Sequence, residues 1–252
     1  MRRFFLDRKK ILSDKPTLTG SDVKHLRTVL RLKPGDDVFL FDGQGSEYRA
    51  RINSSTPKTI TLSVLEQFPS IAESPVEITV GQGLLKARKM DRIVRQMTEL
   101  GIYALIPVLA ERSVPRPRPE RWAEKEHRWE TIARESLKQC GRSQIPCIEP
   151  PSSFQELVAV SRTHDLKIIF HEGNPGKESN LYLKDLRDVR SVLALIGPEG
   201  GFTPNEVQMA IENGFVRVSL GPRILKADTA VVAICAVLQY AFGDAGGRQE
   251  KS

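Results

Sequence analysis

The residues of this chain best suited to chemistry lie in two short stretches of its last quarter. The first is Gly197-Pro198-Glu199-Gly200-Gly201-Phe202-Thr203-Pro204-Asn205-Glu206, after the apolar run Val192-Leu193-Ala194-Leu195-Ile196. Its glycines permit a sharp turn and a close backbone approach to a ligand, because no Cβ intervenes. Thr203 with Glu206 reads as a capping box and Pro204 as the first helical residue, so a helix start is expected there. A loop at the carboxyl end of a parallel strand is where open α/β sheets bind ligands. The plain alternative is a strand–turn–helix connection. The second stretch, Ser219-Leu220-Gly221-Pro222-Arg223-Ile224-Leu225-Lys226-Ala227-Asp228-Thr229-Ala230, also follows a strand-like run and precedes an apolar helix. Leu220, Ile224 and Leu225 are apolar where a turn is normally polar, which points to the wall of a flat, partly apolar ligand.

Other motifs are weak. Gly81-Gln82-Gly83 begins a dinucleotide-type fingerprint, but Lys86 stands where its third glycine belongs. There is no Gly-x-x-x-x-Gly-Lys phosphate loop and no Gly-x-Ser-x-Gly elbow. His25, His127, His164 and His171 are scattered, with no pair at metal-binding spacing. Cys140, Cys147 and Cys235 form no Cys-x-x-Cys. Reduced thiols in a cytoplasm are expected, with no disulfide framework and no metal.

These loops need a scaffold, and the patterning supplies one. Ser21–Arg31 reads as a short helix that Ser21 can cap, with Val23, Leu26, Val29 and Leu30 at helical spacing. Strand-like runs follow at Val38–Phe41, Glu47–Ile52 and Thr59–Leu65, the first two joined by the turn Asp42-Gly43-Gln44-Gly45. Periodicity is lost from Gln67 to Pro75. Residues 1–68 are therefore expected to form one small β-rich domain, 69–75 a linker and 76–252 a second domain. In the latter, strands at Val76–Val80, Ile102–Leu109, Leu166–Phe170, Val192–Ile196 and Val216–Leu220 alternate with helices. The helices are Met90–Leu100, Arg121–Cys140, Pro204–Asn213 and Thr229–Phe242, which predicts an α/β domain with a mostly parallel sheet.

Hydrophobic residues are 40% and charged residues 27% of 252, a globular balance that excludes a disordered chain. The longest uncharged run, Thr229–Gly243, is short of the roughly 20 residues needed to span a bilayer, and no apolar core follows the N-terminal arginines. Secreted and membrane-spanning readings are not expected. Residues 1–33 hold ten basic and three acidic side chains, which equals the net charge of +7 of the whole chain. A basic segment ahead of a neutral body is the footprint of a polyanion binder, nucleic acid being the usual partner, or else a solvated basic surface.

Leu195-Ile196-Gly197-Pro198-Glu199-Gly200-Gly201 together with Leu220-Gly221-Pro222-Arg223-Ile224-Leu225 resembles the SPOUT methyltransferases. Within them the chain is similar to the bacterial 16S rRNA (uracil-N3) methyltransferases, the ribosomal small subunit methyltransferase E (RsmE) family. His25-Leu26, Val29-Leu30-Arg31 and Pro34-Gly35-Asp36 are similar to that family's PUA-like β-barrel. Glu99-Leu100-Gly101, Pro107, Arg112-Ser113 and Gln139-Cys140-Gly141-Arg142 up to Pro146 are similar to its central segments. The resemblance implies a C-terminal trefoil knot, S-adenosylmethionine (SAM) as cofactor, and a homodimer through the knotted domain. The implied reaction is methylation of N3 of a uridine of 16S rRNA in the decoding region, with the small ribosomal subunit as the setting. It implies SAM contacts at Ile196, Gly197, Pro198, Glu199, Gly200, Gly201, Leu220, Gly221, Pro222, Ile224, Leu225, Thr229 and Ala230.

N3 of uracil must lose a proton, and a carboxylate, Glu199 or Asp228, is expected to take it or to hold a water that does. Arg223 is expected to stabilise the charge that develops on the ring, and Arg142 to reach RNA or the reacting groups from a partner subunit. Residues 1–68 are expected to hold RNA by phosphate contacts at Arg2, Arg3, Arg8, Lys24, Arg27 and Arg31. The chain departs from the family at Lys226 and Asp228, where Arg-x-Glu is usual, at Arg95-Gln96, where Gln-Lys is often found, and at Lys138, often Glu. Asp228 is expected to cap the final helix. Two rival readings are a non-catalytic rRNA-binding assembly factor that kept the knot and a methyltransferase of another RNA.

Overall fold

In the computed structural model the chain is described over residues 2–86, 88–114, 116, 119–172, 186 and 188–246. It divides into two units, Met1–Glu73 with Arg134–Ile145, and Ser74–Ala133 with Pro146–Ser252. Residues Arg134–Ile145 thus go with the N-terminal unit and not with the 76–252 stretch.

The first unit contains β1 (Arg3–Phe5), α1 (Arg8–Ile11), β2 (Thr17–Thr19), α2 (Ser21–Lys24), β3 (Asp37–Phe41), β4 (Ser46–Ser55) and β5 (Thr59–Pro69). Its sheet runs β1-β3-β4-β5-β2, antiparallel except for β1 beside β3. Strand alternation builds the core: Tyr48, Ala50 and Ile52 of β4 point inward while Arg49 and Arg51 face solvent. Phe4, Leu18, Leu26, Leu40 and Ile60 complete the cluster. The β3–β4 turn is held by Asp42, whose Oδ1 accepts from the amides of Gln44 at 2.8 Å and Ser46 at 3.1 Å.

Two expectations fail here. The Ser21–Arg31 helix is only one turn of α-helix, followed by a π-helical turn over His25–Val29, and its N-cap is Gly20, with no side-chain cap from Ser21. Leu26 and Leu32 must both reach the core, and the wide turn, closed by Leu30 N–H to His25 O at 3.0 Å, lets them. Arg31 then takes the left-handed conformation at φ +53°. The stretch from Gln67, where periodicity is lost, is also structured at its start: Gln67, Phe68 and Pro69, the last of them in the expected linker, pair with Tyr48, Glu47 and Ser46.

The second unit alternates β6 (Glu77–Gly83), α3 (Lys89–Glu99), β7 (Ala104–Leu109), α4 (Trp122–Cys140, whose last turns fall in the first unit), β8 (Cys147–Ile148), β9 (Ser152–Ser153), α5 (Phe154–Val160), β10 (Leu166–Phe170), β11 (Ser191–Ile196), α6 (Pro204–Glu212), β12 (Val216–Val218) and α7 (Ala227–Ala241). All described pairings are parallel, in the order β12-β10-β11-β6-β7-β8, with β9 also on β7. The chain moves inward from β10 to β11 and then outward past β10 to β12. That reversal is a topological switch point, and it opens a crevice at the carboxyl ends of three strands.

Helix α3 buries Met90, Ile93, Val94 and Met97, and α7 buries Val231, Ile234, Cys235 and Leu238, the same i, i+3, i+4, i+7 stripe in each. The helices pack on one another. Gln239 of α7 donates to the carbonyls of Leu100 at 2.9 Å and Gly101 at 3.1 Å. A Cβ on Gly101 would stand 2.6 Å from that amide nitrogen, and its φ is +76°. Glycine is needed there on both counts. Among the described residues no helix is long and apolar enough to cross a membrane, and no group of three His, Cys, Asp or Glu could hold a metal.

Candidate functional site

The loop after β11 is pinned from several sides. Thr203 caps α6 in the expected capping box with Glu206, with Pro204 in its first turn. Glu206 is buried and also accepts from the amide of Glu111 at 2.8 Å. The turn closes through Gly201 N–H to Pro198 O at 2.9 Å. From β6, the buried Gln82 donates to Gly197 O at 3.2 Å, and Gly83 lets Pro198 lie against the strand, since a Cβ would meet it at 2.5 Å. The Gly81-Gln82-Gly83 stretch is therefore a packing surface inside a strand. Gly200 serves packing as well: its carbonyl accepts from Arg112 at 2.9 Å, and a Cβ would press on that side chain at 3.1 Å.

The loop after β12 turns at Gly221, φ +106°, where Ser219 Oγ accepts from Gly221 N–H and donates to Gly221 O. Between the two loops, at the switch point, lies a cavity of 410 Å³. All the expected cofactor residues line it except Pro222 and Thr229, which are exposed outside its wall. Sequence reasoning missed Phe170, His171 and Glu172 at the end of β10, along with Lys89, Val218 and Ile234; Phe202, Ser219, Lys226 and Ala227 lay in the two stretches it singled out but were not named as cofactor contacts. Ile234 was findable, one helical turn beyond Ala230. The end of β10 was not, because only the strand order brings it beside β11 and β12.

The charged groups divide clearly. Glu199 accepts from Lys89 Nζ at 2.9 Å and from the Lys86 amide at 3.3 Å. Burial works to raise its pKa, but the Lys89 hydrogen bond, its own amide and that of Lys86 outweigh this and hold the carboxyl below its ordinary value. Asp228 is not the N-cap. That place belongs to Lys226, whose side chain makes no cap bond, and Asp228 lies in the first turn of α7, 3.8 Å from the exposed Arg92. The helix starts earlier than expected because Ala227 and Asp228 already take helical geometry. Arg223 is exposed at the cavity wall and makes no ion pair among the described residues.

Arg142 belongs to the first unit, and there it is buried. Its Nε and a terminal nitrogen bind Glu73 at 2.9 Å, and Glu73 also accepts from the amides of Ser143 at 2.6 Å and Gln144 at 2.9 Å. Arg3, an expected RNA contact, is spent in the same network: it pairs with Glu47 at 2.7 Å and donates to Arg142 O at 2.9 Å. Its side chain is 10% exposed, so it is no surface cation. Arg2, Arg8, Lys24, Arg27 and Arg31 remain exposed. Lys138 pairs with Asp22 at 3.0 Å and Glu135 at 2.8 Å. Burial opposes its charge, but those two hydrogen bonds prevail and raise its pKa.

Comparison with known proteins agrees with this arrangement. Residues 72–239 match the model of an RNA methyltransferase domain, and residues 18–65 that of an RNA methyltransferase PUA domain. The chain is 31% identical over 247 residues to ribosomal RNA small subunit methyltransferase E of Bacillus subtilis, covering 95% of this chain and 96% of that protein. It is 35% identical over 225 residues to the protein of that name from Synechocystis, covering 88% and 72%. The fold is similar to ribosomal RNA small subunit methyltransferase E from Neisseria gonorrhoeae bound to S-adenosyl methionine, with TM-score 0.84, 32% identity and coverage of 97% and 99%. A putative methyltransferase from Legionella pneumophila in complex with SAM gives 0.82, 30%, 96% and 98%. With both family models matched in order and relatives alike over nearly their whole length, the chain belongs to the ribosomal RNA small subunit methyltransferase E family of RNA methyltransferases.

Proposed function

We propose that this protein methylates N3 of a uridine in the decoding region of 16S rRNA, using SAM held in the switch-point cavity. The observation that carries this reading is the cavity itself, walled by the two glycine–proline loops in a chain of this family. The residues present fit the cofactor. At 410 Å³ the cavity is within the roughly 300–1,000 Å³ of small-molecule sites. Ile196, Leu220, Ile224 and Leu225 supply apolar walls, and the Gly197–Gly201 backbone is open to close approach.

When bound, SAM supplies an electrophilic methyl group on a sulfonium. The protein's part is to place the uracil in line and to deal with its N3 proton. Asp228 is the carboxylate we assign to that proton, or to a water that takes it, because its ion-pair partner among the described residues, Arg92, is distant and exposed. Glu199 is the less available carboxylate, since it already accepts from Lys89 Nζ and the Lys86 amide. Arg223, at the cavity wall and without an ion pair among the described residues, is assigned to stabilise negative charge on the ring carbonyls.

The exposed cations Arg2, Arg8, Lys24, Arg27 and Arg31 of the first unit are assigned to rRNA phosphates. The fold is assigned the trefoil knot of its family, and the protein works as a homodimer in the cytoplasm on the small ribosomal subunit. Support for a dimer comes from α7, whose outer side exposes Val237 at 40% and Tyr240 at 71%. The test is mass spectrometry of nucleosides from 16S rRNA of a strain lacking the gene. 3-Methyluridine should vanish and return on complementation. An unchanged nucleoside pattern would refute the reading, and failure of the purified protein to bind SAM would favour the assembly-factor role.

A further inference from the structure

We propose that an arginine stripe on the outer side of α3 holds rRNA phosphates beside the reacting nucleotide, an interaction surface that rests on the rRNA reading of the substrate. Helix α3 turns Met90, Ile93, Val94 and Met97 into the core. At 3.6 residues per turn its opposite side carries Arg88, Arg92 and Arg95, and all three are exposed. Only Arg92 has an ion pair among the described residues: it is 69% exposed and stands 3.8 Å from Asp228. A pair that open and that long leaves its donors largely to solvent. None of the exposed large hydrophobic residues lies on α3, so the stripe is a poor surface for a second copy of the chain.

The fold of α3 does not call for this pattern. Arg88 with Arg92 and Arg92 with Arg95 are i, i+4 and i, i+3 neighbours, where like charges destabilise a helix. Arg88 is also the N-cap, with no side-chain cap bond, at the helix end that disfavours a cation. A charge kept against two local costs suits a polyanion laid along the helix. The nearby carboxylates do not cancel it. Asp91 is occupied by Arg128 and by Trp129 Nε1 at 3.1 Å, Asp228 faces Arg92 alone, and Glu99 comes only at the far end of the stripe. The position is equally specific. Arg92 borders the carboxylate assigned to the N3 proton, with Arg88 and Arg95 about one helical turn to either side. A strand that brings its uracil to Asp228 therefore carries the adjoining phosphates past these three side chains.

The test uses the full-length protein with a 16S rRNA transcript as probe. Arg88→Gln, Arg95→Gln and the double variant are compared with wild type in rRNA affinity over a range of salt concentrations. Each single substitution should lower the logarithmic salt slope by about 0.7–0.9, and the double variant by about twice that. Arg95→Lys should keep the wild-type slope, because a phosphate contact needs the charge. Melting temperature should be unchanged or raised, since repulsion along the helix is relieved, and the sedimentation of the free protein should not change. A double variant with the wild-type slope overturns the proposal, as does a Lys variant that loses as much slope as Arg95→Gln. A double variant that sediments as a smaller species than wild type also overturns it, and gives the stripe to a contact between copies. Wild-type protein that binds no rRNA overturns the substrate reading itself. A slope lowered by Arg27→Gln but not by the double variant leaves that reading standing and removes only this surface.

Discussion

Two arginines, each set just after a glycine with positive φ, have opposite fates in this molecule. Arg142, after Gly141 at φ +90°, is buried against Glu73 in the first unit. Arg223, two residues after Gly221 at φ +106°, stands exposed and unpaired among the described residues at the cavity of the second. A guanidinium enclosed with a carboxylate becomes part of the fold, since leaving it unpaired would strand a charge out of water. One left at a cavity mouth keeps its donors for something that arrives. Each follows a glycine turn in the local sequence, so burial of the surroundings makes the difference.

The comparison can be broken most directly at Arg142. Arg142→Ala leaves Glu73 partly buried and unpaired, and should cost about 3–5 kcal/mol in denaturant unfolding. A cost below about 1 kcal/mol would show that the network is not structural. Arg223→Ala is the counterpart. Its stability should stay within about 0.5 kcal/mol while the single-turnover rate of methyl transfer falls about 10²–10³-fold. An Arg223 variant that melts early, or turns over normally, would erase the distinction between the two sites.

Asp228→Asn sharpens the contrast within the second unit. It should lose most methyl transfer and keep SAM affinity, with at most about 1 kcal/mol lost from the helix N-terminus of α7, where a negative charge is favourable. Full turnover by the Asn variant would pass the proton to Glu199. In the first unit, Arg27→Gln should flatten the salt dependence of rRNA affinity by about 0.7–0.9 in logarithmic slope. Arg3→Gln should instead reduce stability, because Arg3 is already paired.

The smallest effect is expected at Glu199. Its pKa is lowered on folding, so the stability it contributes is present above the ordinary carboxyl value of 4.5 and lost as pH falls toward the folded value. The gain is small, since solvent screens a group this open. Melting curves of wild type and Lys89→Met should therefore converge as the pH is lowered below that range. A difference that persists unchanged would place the effect of Lys89 elsewhere.

Much of the second unit was legible along the chain. The capping box Thr203–Glu206, the longer strands and helices, and both loops of the cavity follow from local pattern, because short-range hydrogen bonds and periodic burial dictate them, whereas the short strands β8 and β9 and helix α5 went unread. The first unit was harder. The one-turn helix Arg8–Ile11 and the strands Arg3–Phe5 and Thr17–Thr19 are too short to carry a period. The π-helical turn at His25–Val29 arises because Leu26 and Leu32 are both drawn into one core. Asp228 misled for a related reason. A good capping residue sat next to an apolar helix, but the helix began before it, at Ala227.

By itself, then, the chain determined its element types, its basic N-terminal segment and the two loops that bear on a ligand, since these depend on residues close in sequence. Tertiary structure alone decided which loops meet. The switch from β10 inward to β11 and outward to β12 puts His171, Gly197 and Leu220 around one cavity, although the pairings span residues 166 to 218. It also decided which cations are free. Arg3 and Arg2 are neighbours in a basic run, but only Arg3 is carried beside Glu47, Arg142 and Ser143. Charge can be counted in a sequence, whereas desolvation and pairing exist only where distant segments have packed together.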